Sequence, residues 1–401
     1  MQNEITLIIS PSCSGKSTYI EQINSNSKPV LLGNELKANE LPKDSFIVHY
    51  NSLILLHKNK KKMDDSLFIK DQALKTILNS NRKVTVYVLV CSKNNLIKRA
   101  ILRDHTEPKL KKDNNYRYPN SIFLDVFNKL DIKTHYINLF KILKEYNIET
   151  KYIDSNEQFE QVPANNKSLK KSLGFKHQKY SLEEIQFITQ KYQFNYHSIQ
   201  LPYNIKTKGS ARDYKTFAQI NFESKTVLDV GSGYGAFCFY AESRGASSVL
   251  GTELKKDRHL GSIIIKNILD SNAIFSSSNI LNGNIGETYD IVSLLNVIHH
   301  LDSPFHALKQ LAKAAKETLI IEFPLPSDPK FRKTIPGNTI IDEQVPFVGV
   351  STKAHDQTFV FNQLAIKRYM EEHVTGFKLE FHPSNISNTR EIMIAHRISS
   401  L

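Results

Sequence analysis

The sequence predicts an α/β protein built as two parallel-sheet domains in tandem. Three observations predict it. Apolar β-like runs alternate with helically periodic segments in two successive series, the pattern of parallel strands joined by crossover helices. Each series holds a turn of small residues between a strand and a helix: Ser10-Pro-Ser-Cys-Ser-Gly-Lys-Ser-Thr18 in the first and Val227-Leu-Asp-Val-Gly-Ser-Gly-Tyr-Gly235 in the second. Between the two series the chain turns polar and Lys/Ser-rich (Asn165-Asn-Lys-Ser-Leu-Lys-Lys171), the composition of a boundary.

The elements follow in order. The first series opens with the apolar run Ile5–Ile9 and continues with strands at Phe46–His49 and Val84–Val90. Helical patterns follow these strands at Leu67–Leu78 and Asn94–Arg103, and Thr150–Asp154 reads as the last strand. The second series has strands at Thr226–Val230, Ser248–Glu253, Tyr289–Leu295 and Thr318–Phe323. Helices are expected at Ala236–Arg244 and Pro304–Lys316, and Phe377–Phe381 with Glu391–His396 forms a terminal hairpin. The expected boundaries are a first domain at 1–158, a linker at 159–180 and a second domain at 181–401. For 401 residues, two domains agree with the usual size of roughly 150 residues each.

Composition narrows the class. Hydrophobic residues make up 40% and charged residues 23%, enough to bury a core and too apolar for a disordered chain. No run approaches the ~20 apolar residues that cross a bilayer. The start, Met1-Gln-Asn-Glu4, lacks the basic and apolar regions of a signal peptide. Cys13, Cys91 and Cys238 are far apart and form neither a metal pattern nor a disulfide framework, so a reducing cytoplasm is expected. The net charge of +13 favours anionic partners, or is solubilising surface lysine, as in Lys58–Lys62 and Lys109–Lys112.

The first turn matches the phosphate-loop pattern G-x-x-x-x-G-K-[S/T], with Ser10 in place of the first glycine. Small residues let successive backbone N–H groups face a phosphate, and the following helix adds its positive end. Ser12, Cys13, Ser14, Gly15, Lys16, Ser17 and Thr18 are the expected contacts, with Lys16 reaching the outer phosphates of ATP and Ser17 ligating Mg²⁺. This stretch resembles the P-loop kinases of small molecules and polynucleotide ends. The resemblance implies an acidic residue at the tip of the next strand, where this chain has His49-Tyr-Asn51; His49, Asp64 and Asp65 are substitutes. It also implies lid arginines, for which Arg99 and Arg103 share one helix face.

The second turn holds Asp229, Gly231, Gly233 and Gly235. Glu253 ends the next strand, 20 residues after Gly233, where a ribose-binding acid belongs in nucleotide-binding sheets. Asn296 closes a later strand, followed by His299-His300. This combination resembles class I S-adenosylmethionine-dependent methyltransferases over about 196–396. The likeness implies that the three glycines let the cofactor approach the backbone. It also implies that Asp229 contacts the loop and the methionine end of the cofactor, Glu253 holds the ribose, Asn279 lies at the adenine edge and Asn296 is a further cofactor contact. Tyr196–Pro202, Lys206–Gly209 and Asn296–Pro304 resemble the subgroup of tRNA wobble-uridine methyltransferases, although the chain has no tryptophan. Histidine titrates near neutral pH, so His299 and His300 are candidate bases, or one of them only shapes the pocket. Pro324–Val360 reads as a substrate-side cap, with Arg332, Lys333 and His355 as candidate holders of an anionic substrate.

The expectation is a bifunctional transferase, ATP-dependent kinase-like then methyltransferase, that tailors a small molecule or glycan. The rival readings are an RNA-modifying enzyme and a nucleotide-gated regulator without phosphoryl transfer.

Overall fold

The computed structural model describes residues 3–33, 41–53, 71–106, 121–176, 179–279, 285–337, 339–351, 358–384 and 386–398. They form two compact units, Met1–Tyr180 and Ser181–Leu401.

The first unit is a six-stranded sheet. Its strands are β1 (Glu4–Ser10), β2 (Val30–Leu32), β3 (Phe46–Asn51), β4 (Lys83–Val90), β5 (Glu149–Asp154) and β6 (Glu160–Val162). The spatial order is β2-β3-β1-β4-β5-β6, parallel except for β6. β1 and β4 are buried almost throughout, which explains their continuous apolar runs. Because β2 and β3 lie on one side of β1 and β4 on the other, the order reverses beside β1. Such a reversal opens a crevice at the carboxyl ends of the strands.

The second unit has a seven-stranded sheet. It consists of β7 (Thr226–Val230), β8 (Ser248–Thr252), β9 (Ile274–Ser276), β10 (Tyr289–Leu295), β11 (Ala315–Pro324), and, after the separate β12 (Val348–Val350) and β13 (Phe359–Phe361) pair, β14 (Phe377–Pro383) and β15 (Arg390–Arg397). The order is β14-β15-β11-β10-β7-β8-β9. β15 runs antiparallel to β14, its partner in the terminal hairpin, and also to β11. Here too the chain leaves the central strand β7 on one side and returns on the other, placing the reversal between β7 and β10.

Two boundaries differ from the sequence reading. Residues 159–180 are not a linker: β6 extends the first sheet, and a helix spans Asn166–Leu173. Asn165 caps that helix by accepting from Ser168 N at 2.9 Å, and Ser172 Oγ donates to Asp154 Oδ2 at 2.5 Å. The Lys/Ser composition is that of a surface helix with one buried side, where Leu169 and Ser172 pack inward. For the same reason β5 is not the last strand of its domain. The helix expected at Leu67–Leu78 is described over Gln72–Leu78, capped by Asp71.

Candidate functional site

In the first unit, β1 ends in a turn that delivers Gly15, at φ 91°, as the cap of the helix Lys16–Ile23. A side chain at Gly15 would be both strained and 3.0 Å from the Phe159 ring. Ser10, which replaces the first glycine of the pattern, turns its hydroxyl away from the loop and donates to Leu89 O at 2.6 Å on β4. The substitution therefore leaves the loop backbone open. Lys16 Nζ donates to Ser10 O and Pro11 O at 3.0 and 2.6 Å, and burial holds its pKa down to about 7. Ser14 Oγ is buried and finds no hydrogen-bond partner among the described residues.

A cavity of about 740 Å³ opens here. It brings residues 12, 13 and 15–18 together with Arg99 and Arg103, as the helical spacing of the arginines required. Arg99 is tethered to the loop after β5 through Ser155 O and Asn156 O. Asn51 also lines the cavity and donates to Ser12 Oγ at 2.7 Å, so the group standing in the acid's place braces the loop. His49 lies in the same wall, its pKa held down to about 4 by burial and by Lys16. Asp64, Asp65, Lys58–Lys62 and Lys109–Lys112 lie outside the described residues.

In the second unit, the corresponding turn follows β7. Gly231, Gly233 and Gly235 have φ of 74°, 58° and 86°, and Gly235 caps the helix Ala236–Ser243. A Cβ on Gly233 would sit 2.9 Å from the Tyr196 ring and 3.0 Å from His197 Cε1. Glu253, just after β8, is buried, and its carboxylate accepts from Gly233 N at 3.0 Å and Lys255 N at 2.7 Å. Acid and loop are thus fixed to each other across 20 residues of sequence. Asp229 lies beneath the loop, accepts from Ser293 Oγ at 2.7 Å, and has its carboxyl pushed up to about 6 by burial. Ser232 Oγ is buried without a partner among the described residues.

Residues 203–380 match the methyltransferase-domain family. The matched residues all lie within the second unit. Among solved structures, the chain is similar to magnesium protoporphyrin IX methyltransferase from Synechocystis PCC 6803 with bound S-adenosylhomocysteine, at 19% identity over 45% of this chain and 78% of that one (TM-score 0.36). It is also similar to the N-terminal domain of EvdMO1 with S-adenosylhomocysteine bound, at 13% identity over 55% and 98% (TM-score 0.43). The PH0226 protein from Pyrococcus horikoshii OT3 is 17% identical over 45% and 86% (TM-score 0.34). No curated protein matches the sequence.

A further group of candidate residues lies at the carboxyl ends of β10 and β11. Asn296 takes φ 64°, and its Oδ1 accepts from Arg390, which also faces Asp328 Oδ2 at 3.6 Å. His299 is buried, with Nδ1 unpartnered among the described residues. Burial, with His300, Arg390 and Lys330 nearby, holds its pKa down to about 2, so the ring is neutral and a weak proton acceptor. His300 is exposed. The β12–β13 pair is stitched to this turn by Thr358 N donating to His299 O at 3.0 Å. Arg332 and Lys333 are exposed, and Arg332 donates to Thr339 O within the cap; His355 lies outside the described residues. Asn279 is exposed beyond β9.

Sequence reasoning missed Arg212 and Glu322. They form an ion pair at 2.6 Å with side chains only 6% and 0% exposed, and Ser384 Oγ donates to Glu322 at 2.5 Å. Arg212 also lies in the electrostatic field of Asp229. No spacing rule links positions 110 residues apart. The one available signal was the acid set inside the apolar run Leu319–Phe323 of β11. Among the described residues, no His/Cys/Asp/Glu cluster could hold a metal and no helix is long and apolar enough to cross a membrane.

Proposed function

We propose that the second unit transfers a methyl group from S-adenosylmethionine, and that the first unit binds ATP with Mg²⁺ and acts as a kinase-like phosphotransferase. The two would tailor one small molecule or glycan of anionic character. The observation that carries the methyltransferase half is the Glu253–Gly233 contact. It sets a carboxylate able to accept two ribose hydroxyls at the edge of a loop whose backbone a ligand can approach. In this reading Gly231, Gly233 and Gly235 keep the loop free of side chains that would collide with Val297, Tyr196 and Phe275, and Asn296 is a further cofactor contact.

S-adenosylmethionine, when bound, supplies an electrophilic methyl group. The protein's part is orientation. His299 shapes the pocket floor as a neutral ring, and His300 is the histidine at this turn open to solvent for proton removal. In the first unit, Lys16 and the loop amides would hold the phosphates, Ser17 the metal, and Arg99 and Arg103 the charge that develops on transfer. The net charge of +13 favours a second reading, an RNA acceptor, which would bind with a steep dependence on salt.

Calorimetry of the full chain tests both halves. S-adenosylmethionine should bind wild type and lose about tenfold or more in affinity in Glu253→Ala. Mg·ATP should bind wild type and lose affinity in Lys16→Ala without affecting the other ligand. Absence of binding to wild type would sink the corresponding half.

A further inference from the structure

The stretch Tyr196–Ser210 folds back on itself beside the glycine loop. Ser198 N donates to Ser210 O at 3.0 Å, and Ile199 N donates to Thr207 Oγ1 at 2.7 Å. This strap presses the rings of Tyr196 and His197 against Gly233. The Arg258 guanidinium lies over the Tyr196 ring, 3.7 Å from its centroid. His197 Nδ1 is buried and has no hydrogen-bond partner among the described residues, and the same holds for Ser232 Oγ. Two unpaired polar atoms thus lie at one glycine, whose missing side chain lets the Tyr196 and His197 rings close against the loop. Leaving such groups unpaired costs about 1–3 kcal/mol each, a cost that a ligand can recover.

The charges on the two sides of Gly233 differ in sign. On the side of β8 stands the Glu253 carboxylate, which repels an anion and suits a diol. On the side of the strap the electrostatic neighbours of His197 are Arg258 and Arg212, the second of them already paired with Glu322. The helix Ala236–Ser243 points its positive end at the same loop. Burial and these two arginines hold the His197 pKa down to about 3, so the ring stays neutral and keeps one N–H to donate.

We infer that His197 is a positioning residue that donates from Nδ1 to the carboxylate at the amino-acid end of S-adenosylmethionine, with Ser232 Oγ as its companion donor. The inference rests on reading this unit as the S-adenosylmethionine site, and it orients the cofactor with its ribose at Glu253 and its amino acid under the strap.

The test compares two probes in calorimetry of the full chain: S-adenosylhomocysteine, and 5′-methylthioadenosine, which has the same nucleoside and thioether but no amino acid. His197→Leu should weaken S-adenosylhomocysteine by about tenfold to a hundredfold, the range for a hydrogen bond to a charged group. It should leave 5′-methylthioadenosine within about twofold, and His197→Asn should recover part of the loss. Ser232→Ala should show the same selectivity and guards against a folding defect in the histidine variant. Equal losses for both probes would make His197 a mere prop for the loop, and an unchanged S-adenosylhomocysteine affinity would remove it from the site. A wild-type chain that binds neither probe would overturn the cofactor reading itself.

Discussion

Replacing Arg212 by Met isolates Glu322, a fully buried charge of the second unit. In the native state Glu322 is fully buried, receives Arg212 at 2.6 and 3.3 Å, and accepts one further bond from Ser384. Removing the guanidinium leaves that carboxylate with a single hydroxyl partner. Breaking a buried pair from one side costs about 3–5 kcal/mol, much of it the desolvation of the orphaned charge. The assay is hydrogen exchange on peptides from β11 and β15, because the chain holds two units and its global unfolding need not be a single transition. A loss of ~3 kcal/mol predicts exchange about a hundredfold faster in those strands, with β1 and β4 of the other unit unchanged. Adding Glu322→Leu should restore most of the protection, since an apolar pair of similar volume is often neutral or stabilising. A single variant within about 1 kcal/mol of wild type, or a double variant worse than the single, would refute the view that this pair is a closed, mutually dependent unit.

Three further outcomes are expected. Gly233→Ala places a Cβ at φ 58° and 2.9 Å from the Tyr196 ring, so S-adenosylhomocysteine affinity should fall more than about tenfold, given ~1–2 kcal/mol of backbone strain before any clash; wild-type affinity in calorimetry would contradict this. Lys16 has a folded pKa of about 7 against 10.5 for the free side chain. Between those values the unfolded chain binds more protons, so native stability should rise with pH across that window, and Lys16→Met should flatten the rise. ATP binding at pH about 8 should then take up a proton, visible as a buffer-dependent heat that Lys16→Met abolishes. Glu391 behaves oppositely. Burial raises its carboxyl from 4.5 to about 7, so the folded state binds more protons between them and stability should fall as pH rises through that range. Glu391→Gln should remove that fall in denaturant midpoints, and an unchanged pH slope would count against it.

The longer strands of both sheets were legible because most carry continuous apolar runs, and the ends of β7 and β10 agree with the sequence reading to the residue, whereas the three-residue β9 was not read. Short strands were not legible. β2, with its exposed Val30 and Leu32, and the three-residue β6, β12 and β13 lack enough residues to display a period. The segment 159–180 misled because composition reports solvation, and a surface helix is as solvated as a tether. Its buried Leu169 and Ser172 are only three residues apart, too few to declare a face.

The site divides in the same way. Residues joined by local geometry could be read in advance: Gly15 with Lys16, Gly233 with Gly235, and Arg99 with Arg103 on one helix. Residues whose role arises from the sheet could not. Arg212, Glu322 and Ser384 meet because β11 and the β14–β15 hairpin place distant positions on one face. Asn51 shows the reverse limit. Its position at the tip of β3 was legible, yet its work depends on Ser12, which it reaches only once β1 and β3 are paired in register. An amide there donates to the loop where an aspartate would accept. On the proposed reading of the first unit as a phosphotransferase, Asn51→Asp should leave Mg·ATP affinity intact and raise phosphoryl transfer to water or an added alcohol, and unchanged transfer would refute the view that the bracing amide restrains it. If affinity collapses instead, the brace is what keeps the phosphate loop in shape.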